Sequence, residues 1–222
     1  MSSGHIEGVV LSEEGANKRT LIEPWNWIVR AVAFSTAFFY LYTALIGQFG
    51  PEHHRGIFVL ATVVMIFLLY PAHARSPQNR PSIFDVGLVL LTVLSIGYWI
   101  VEYNSLVYRV GDYLPLDFWM GVIGLLVCLE AGRRVTGWLI PILGGIAILY
   151  GLFGSHIPGL FAHRGFTIKR LVEYIFLTSE GLFGVMASVL PSYVLLFLLL
   201  GAFLKISGVG QFFIDLPMAL AG

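Results

Sequence analysis

Cysteine and charge are what this chain has least of. Cys128 is the single cysteine in 222 residues, which excludes an intrachain disulfide and a cysteine-rich metal cluster; set inside an apolar run, it reads as a small packing residue. Only 12% of the residues are charged, against roughly 25% in a soluble domain. Thirteen basic and thirteen acidic side chains cancel, and the basic ones are scattered, so the chain carries no electrostatic footprint for nucleic acid. It also lacks a phosphate-cradling glycine loop, a catalytic triad pattern and a helix with metal-ligand spacing. Neither an ATP-driven machine nor an enzyme is indicated, and no catalytic residue, metal site or resident cofactor is expected. The polar stretch 1–24 has no apolar core of the kind a cleavable signal needs, and it reads as a flexible cytoplasmic tail.

Apolar residues fill the space that charge leaves. With 57% hydrophobic residues and a mean hydropathy of +0.83, the chain has the composition of a membrane protein. The apolar runs predict spans at about 27–46, 56–70, 84–101, 116–129, 138–153 and 191–206. Several fall near the lower limit of roughly 17 to 25 residues for crossing the hydrocarbon, so flanking His, Trp, Tyr and Arg are expected to extend them. Trp25, Trp27, Tyr70, Trp99, Tyr103, Tyr108, Trp119, Trp138 and Tyr150 sit near the predicted ends, as an aromatic belt would. The expected fold is all-α: a polytopic membrane protein with about six spans and one interfacial helix.

That interfacial helix is expected over 166–180. Ile168, Leu171, Val172, Ile175 and Phe176 share one face at helical spacing, whereas Lys169, Arg170 and Glu173 fall largely elsewhere. With the amino terminus in the cytoplasm, the inner loops and ends hold Lys18, Arg19, Arg30, Arg75, Arg80, Arg133, Arg134 and Lys205. The outer ones hold Arg55, Arg109, Arg164, Lys169 and Arg170, a moderate bias towards positive inside.

Three further strings carry a family resemblance. The first is Glu180-Gly181-Leu182-Phe183-Gly184, followed by Gly201-Ala202-Phe203-Leu204 and by the run from Ser207-Gly208-Val209-Gly210 to Phe212-Phe213-Ile214-Asp215-Leu216. The second is Leu129-Glu130-Ala131-Gly132-Arg133-Arg134 ahead of Gly137-Trp138-Leu139-Ile140-Pro141. The third joins Tyr108-Arg109-Val110-Gly111 and Asp117 upstream to Tyr150-Gly151, Ile157-Pro158-Gly159 and His163-Arg164-Gly165 downstream. In this order they resemble the fused, four-plus-twelve-helix permeases of tripartite ATP-independent periplasmic (TRAP) transporters. The likeness runs over roughly residues 55–222, by the order of its motifs rather than by alignment. Lys205, where the family often has Glu, and Pro191, displaced by several residues from its usual place, depart from the pattern.

The resemblance implies a division of the chain. Residues 25–165 correspond to the small-subunit region, 166–180 to a connector, and 181–222 to the start of a large subunit that continues beyond this sequence. It implies ion-coupled import of a solute, with a carboxylate expected, across a bacterial or archaeal cytoplasmic membrane. Sodium is the expected coupling ion, at a site outside this chain. The expected partners are a periplasmic solute-binding protein, the remainder of the large permease subunit and membrane lipid. Gly208, Gly210 and Asp215 would shape the first turn of the large-subunit region.

Glu130, Arg133 and Arg134 have a reading that needs no family. Separations of three and four residues on a helix bring the acid and both bases to one face, so an ion cluster anchoring a helix end is expected, and with it a scaffold role. Asp85 and Glu102 flank the third span as ordinary interfacial acids, and His53, His54, His73, His156 and His163 read as loop residues. Two alternatives from other classes stand beside transport: a non-transporting membrane scaffold or assembly subunit, and a metal-dependent membrane enzyme built on the loop histidines.

Overall fold

The computed structural model describes residues 18–47, 49–73, 76–156, 159, 161–209 and 218. Among these every regular element is helical. Six helices are long and apolar enough to cross a membrane, so the chain is an all-α polytopic membrane protein. The first five are α1 (Trp25–Ile46), α2 (Pro51–Leu69), α3 (Ile83–Tyr108), α4 (Pro115–Thr136) and α5 (Leu139–Phe153), the last prolonged by a 3-10 turn, Gly154–His156. A short helix α6 (Ile168–Val172) runs on as a π-helical turn, Glu173–Leu177. The last span combines α7 (Val185–Val189), a π turn (Leu190–Val194) and α8 (Leu195–Ile206).

The spans outrun the apolar segments because polar residues continue them. Gly50, at φ 120°, breaks the chain, and Pro51 opens α2 at its first turn, where a missing N–H costs nothing. His53 and His54, expected in a loop, therefore lie in a helix. α3 and α4 each start on an aspartate that turns back to the chain: Ser82 N–H donates to Asp85 Oδ2 at 2.8 Å, and Leu114 N–H to Asp117 Oδ2 at 2.8 Å. At the other end of the last span, Gly208 takes φ 73° just past the cap residue Ser207, a left-handed stop that suits glycine. Gly210 and Asp215 lie outside the described residues.

Neighbouring spans alternate in direction. One end of the bundle, here the proximal end, gathers the start of α1, the end of α2, the start of α3 and the end of α4. The distal end gathers the start of α2, the end of α3, the start of α4 and the connector. The core sits between α2, α3 and α4 and is built on Val63, Phe67, Ile96, Trp99, Leu106 and Val127, with Phe176, Leu177 and Phe183 added from the connector side. The outward faces stay apolar: Phe34, Phe38, Ile83, Phe84, Leu126 and Phe197 are all exposed, as side chains that face lipid are.

Candidate functional site: a buried ion network and a docking joint

The proximal end holds five charged side chains in one connected network. Glu130 reaches two arginines one turn on, as its spacing dictates: Arg133 Nε donates to Oε2 at 2.7 Å, and Arg134 Nε to Oε1 at 2.9 Å. Arg134 continues inward, where its Nη1 donates to Asp85 Oδ1 at 2.6 Å and to the Tyr70 carbonyl at 3.0 Å. Asp85 then meets a second guanidinium, Nη2 of Arg19, at 2.6 Å from Oδ2. Arg19 Nη1 donates to the Phe67 and Leu68 carbonyls at 3.4 Å, and its own N–H to the Leu69 carbonyl at 2.9 Å.

Burial gives this network its weight. The side chains of Arg19 and Asp85 are 0% exposed and that of Arg134 1%, so their charges depend on one another rather than on water. Glu130 and Arg133, at 26% and 16%, form the wetter rim. Asp85 accepts from two guanidiniums and a backbone N–H. The two arginines in turn supply donors for the last carbonyls of α2, which have no partner within the helix. Arg134 lies over the Phe67 ring and Arg133 over Trp138, at 4.8 and 5.4 Å from the centroids. The network thus ties α2, α3, α4 and the segment before α1 to one point.

Two expectations change here. Asp85 is a fully buried hub, not an ordinary interfacial acid. The described part of the amino-terminal tail is packed against the bundle: Arg19 is buried, and Ile22 N–H donates to the Asn79 carbonyl at 3.1 Å. Composition conceals this, because a polar, mixed-charge segment looks the same whether water or a buried carboxylate receives its arginine. A smaller network closes the distal end, where Arg109 bridges Asp117 at 3.2 Å and Glu102 at 2.9 Å, and the Tyr98 hydroxyl donates to Asp117.

The second feature is the joint where the connector meets the bundle. In the string Glu180-Gly181-Leu182-Phe183-Gly184, Phe183 is fully buried and stacks on Trp99 of α3, with centroids 3.8 Å apart and planes within 15°. Trp99 Nε1 donates to the Leu177 carbonyl at 3.1 Å, and Arg55 Nη1 to the Phe183 carbonyl at 3.2 Å. Leu182 N–H donates to the Ile175 carbonyl at 2.7 Å, a return so tight that a Cβ on Gly181 would lie 2.2 Å from that oxygen. The π turn widens the helix, and the inward face shifts with it: Val172, Phe176 and Leu177 are buried, whereas Ile168, which helical spacing puts on one face with Val172 and Phe176, is exposed. Gly121 and Gly124 of α4 make room for this face. A Cβ on Gly124 would fall 2.0 Å from the Phe176 ring.

Among the described residues, no group of three His, Cys, Asp or Glu side chains is placed to hold a metal ion. Comparison with protein-family models, with curated proteins and with solved structures finds no match to this chain.

Proposed function

We propose that the chain is a membrane permease component of a TRAP-type secondary transporter, in which residues 25–165 form a rigid scaffold and the segment from Gly181 onward begins the transporting part. The observation that carries this reading is the coincidence of motif and contact. The Glu-Gly-x-Phe-Gly string that resembles the start of a large subunit is the segment that inserts a buried phenylalanine against α3. The Leu-Glu-x-x-Arg-Arg string, in turn, runs from the rim into the buried part of a network fixing three spans together. A scaffold needs spans that do not move against one another, and a buried charge network opposes such motion, because separating its partners strands a charge in lipid.

In this mechanism the scaffold holds its position in the bilayer while the transporting part moves the solute, a carboxylate delivered by a periplasmic binding protein, with sodium bound outside these residues. The membrane is the bacterial or archaeal cytoplasmic membrane, with the amino terminus inside.

Deletion of the gene supplies the test. Uptake of radiolabelled carboxylates by whole cells should fall for at least one solute and depend on a sodium gradient. Spheroplasts stripped of periplasmic proteins should lose that uptake and regain it when the periplasmic extract is returned. Undiminished uptake across a broad carboxylate panel, with the protein purifying in a stable complex of unrelated function, would establish the alternative of a non-transporting scaffold.

A further inference from the structure

The joint between α1, α2 and the last span borders a small, half-open space that neither the ion network nor the docking joint uses. His54, in the first turn of α2, is 4% exposed, and its Nδ1 has no hydrogen-bond partner in the protein. Tyr40 of α1 packs edge-on against the imidazole at 4.5 Å, and its hydroxyl donates to the His54 carbonyl at 2.7 Å, which fixes the position of the residue. The ring borders a cavity of about 40 Å³ shared by Tyr40, Thr43, Pro191, Ser192 and Leu196.

We infer that this cavity holds one ordered water molecule bound to His54 Nδ1. Three observations converge on it. The volume exceeds the ~10–15 Å³ of accessible space that a water molecule needs. A buried imidazole nitrogen left without a partner is destabilising, whichever tautomer the ring adopts, because Nδ1 must either donate or accept. The walls also carry a further polar group of the kind a buried water needs: the Thr43 hydroxyl, which donates to the Tyr40 carbonyl at 3.1 Å and can still accept. Pro191, which also borders the space, sits in the π turn of the last span. The water therefore sits between α1 and α2 beside the one place where the last span departs from α-helical hydrogen bonding among its described residues. This inference rests on the cavity alone and does not depend on the transport reading.

Water-edited solid-state NMR of the ¹⁵N-histidine-labelled chain in lipid bilayers tests it, with the His54 signals assigned by their loss in His54→Gln. The expected result is rapid magnetisation transfer from water to Nδ1 of His54, despite its burial. His54→Leu provides a second measurement: its apolar side chain should dry the site, so that the hydroxyl proton of Thr43 loses its own water contact. Absence of transfer to His54 in the unmodified chain would overturn the inference. So would a Thr43 water contact that persists unchanged in a folded His54→Leu variant.

Discussion

Arg19 is the residue whose loss should be felt most widely. Removing one partner from a fully buried pair leaves the other charge uncompensated, and such changes cost about 3–5 kcal/mol. Arg19→Ala should therefore lower stability in detergent by about that amount, read from denaturant unfolding of the purified protein. Arg19→Lys should recover only part of it, because a single ammonium cannot reach Asp85 and two carbonyls in a fixed fork. The two arginines of α4 should differ as well. Arg134 is buried and touches Asp85, Glu130 and Tyr70, whereas Arg133 lies at the rim. Arg134→Ala should thus reduce the yield of folded protein more than Arg133→Ala, and neither should change solute affinity at equal protein level. Equal yields for the two variants would argue against a gradient of burial across the network. The sequence revealed only the outer half of this cluster. Glu130, Arg133 and Arg134 meet by helix periodicity, which a sequence displays directly. Asp85 and Arg19 lie 66 residues apart, and nothing local in either segment announces the other.

At the scale of elements, the connector depends on absent side chains. Gly124→Ala would drive a methyl group into the Phe176 ring, and overpacking of that kind costs about 1–3 kcal/mol. The variant should expose 166–180 to limited proteolysis, and pairing it with Phe176→Leu, which shortens the opposing side chain, should restore protection. Phe183→Ala removes the ring that stacks on Trp99, a change worth about 3–5 kcal/mol in a packed core. Its expected signature is a red shift of the tryptophan emission, because Trp99 is fully buried while Trp27, Trp119 and Trp138 are already exposed. An unshifted spectrum would mean that the ring of Trp99 does not depend on Phe183 for its shielding. Hydropathy located all six spans, since long apolar runs have few other destinations. It placed their ends short, because His53, His54, Arg55, Arg133 and Arg134 look like loop residues until their partners are known. The π turns were not legible at all: a widened turn is set by what packs against it, α4 and α3 for Glu173–Leu177 and α1 and α2 for Leu190–Val194, and leaves no periodic trace.

For the whole molecule, alternating spans separate the charges into two ends, and the proximal end carries the larger share of arginine and lysine. With the amino terminus inside, as proposed, the loop between α2 and α3 would lie in the cytoplasm and the segment after α5 outside. Single cysteines placed at Asn79 and Phe161 on a Cys128→Ala background should show this with a membrane-impermeant maleimide. Phe161→Cys should label in intact spheroplasts and Asn79→Cys only after permeabilisation; the reverse pattern would invert the molecule.

The position of Arg19 also sets an order of events during synthesis. The segment bearing it leaves the ribosome first, yet its acceptor Asp85 is made 66 residues later, and Arg134, which shares that carboxylate, later still. The segment bearing Arg19 must therefore wait, undocked, until α2 and α3 stand side by side. Its seating would mark these two spans as correctly paired before Arg134 arrives at the same carboxylate.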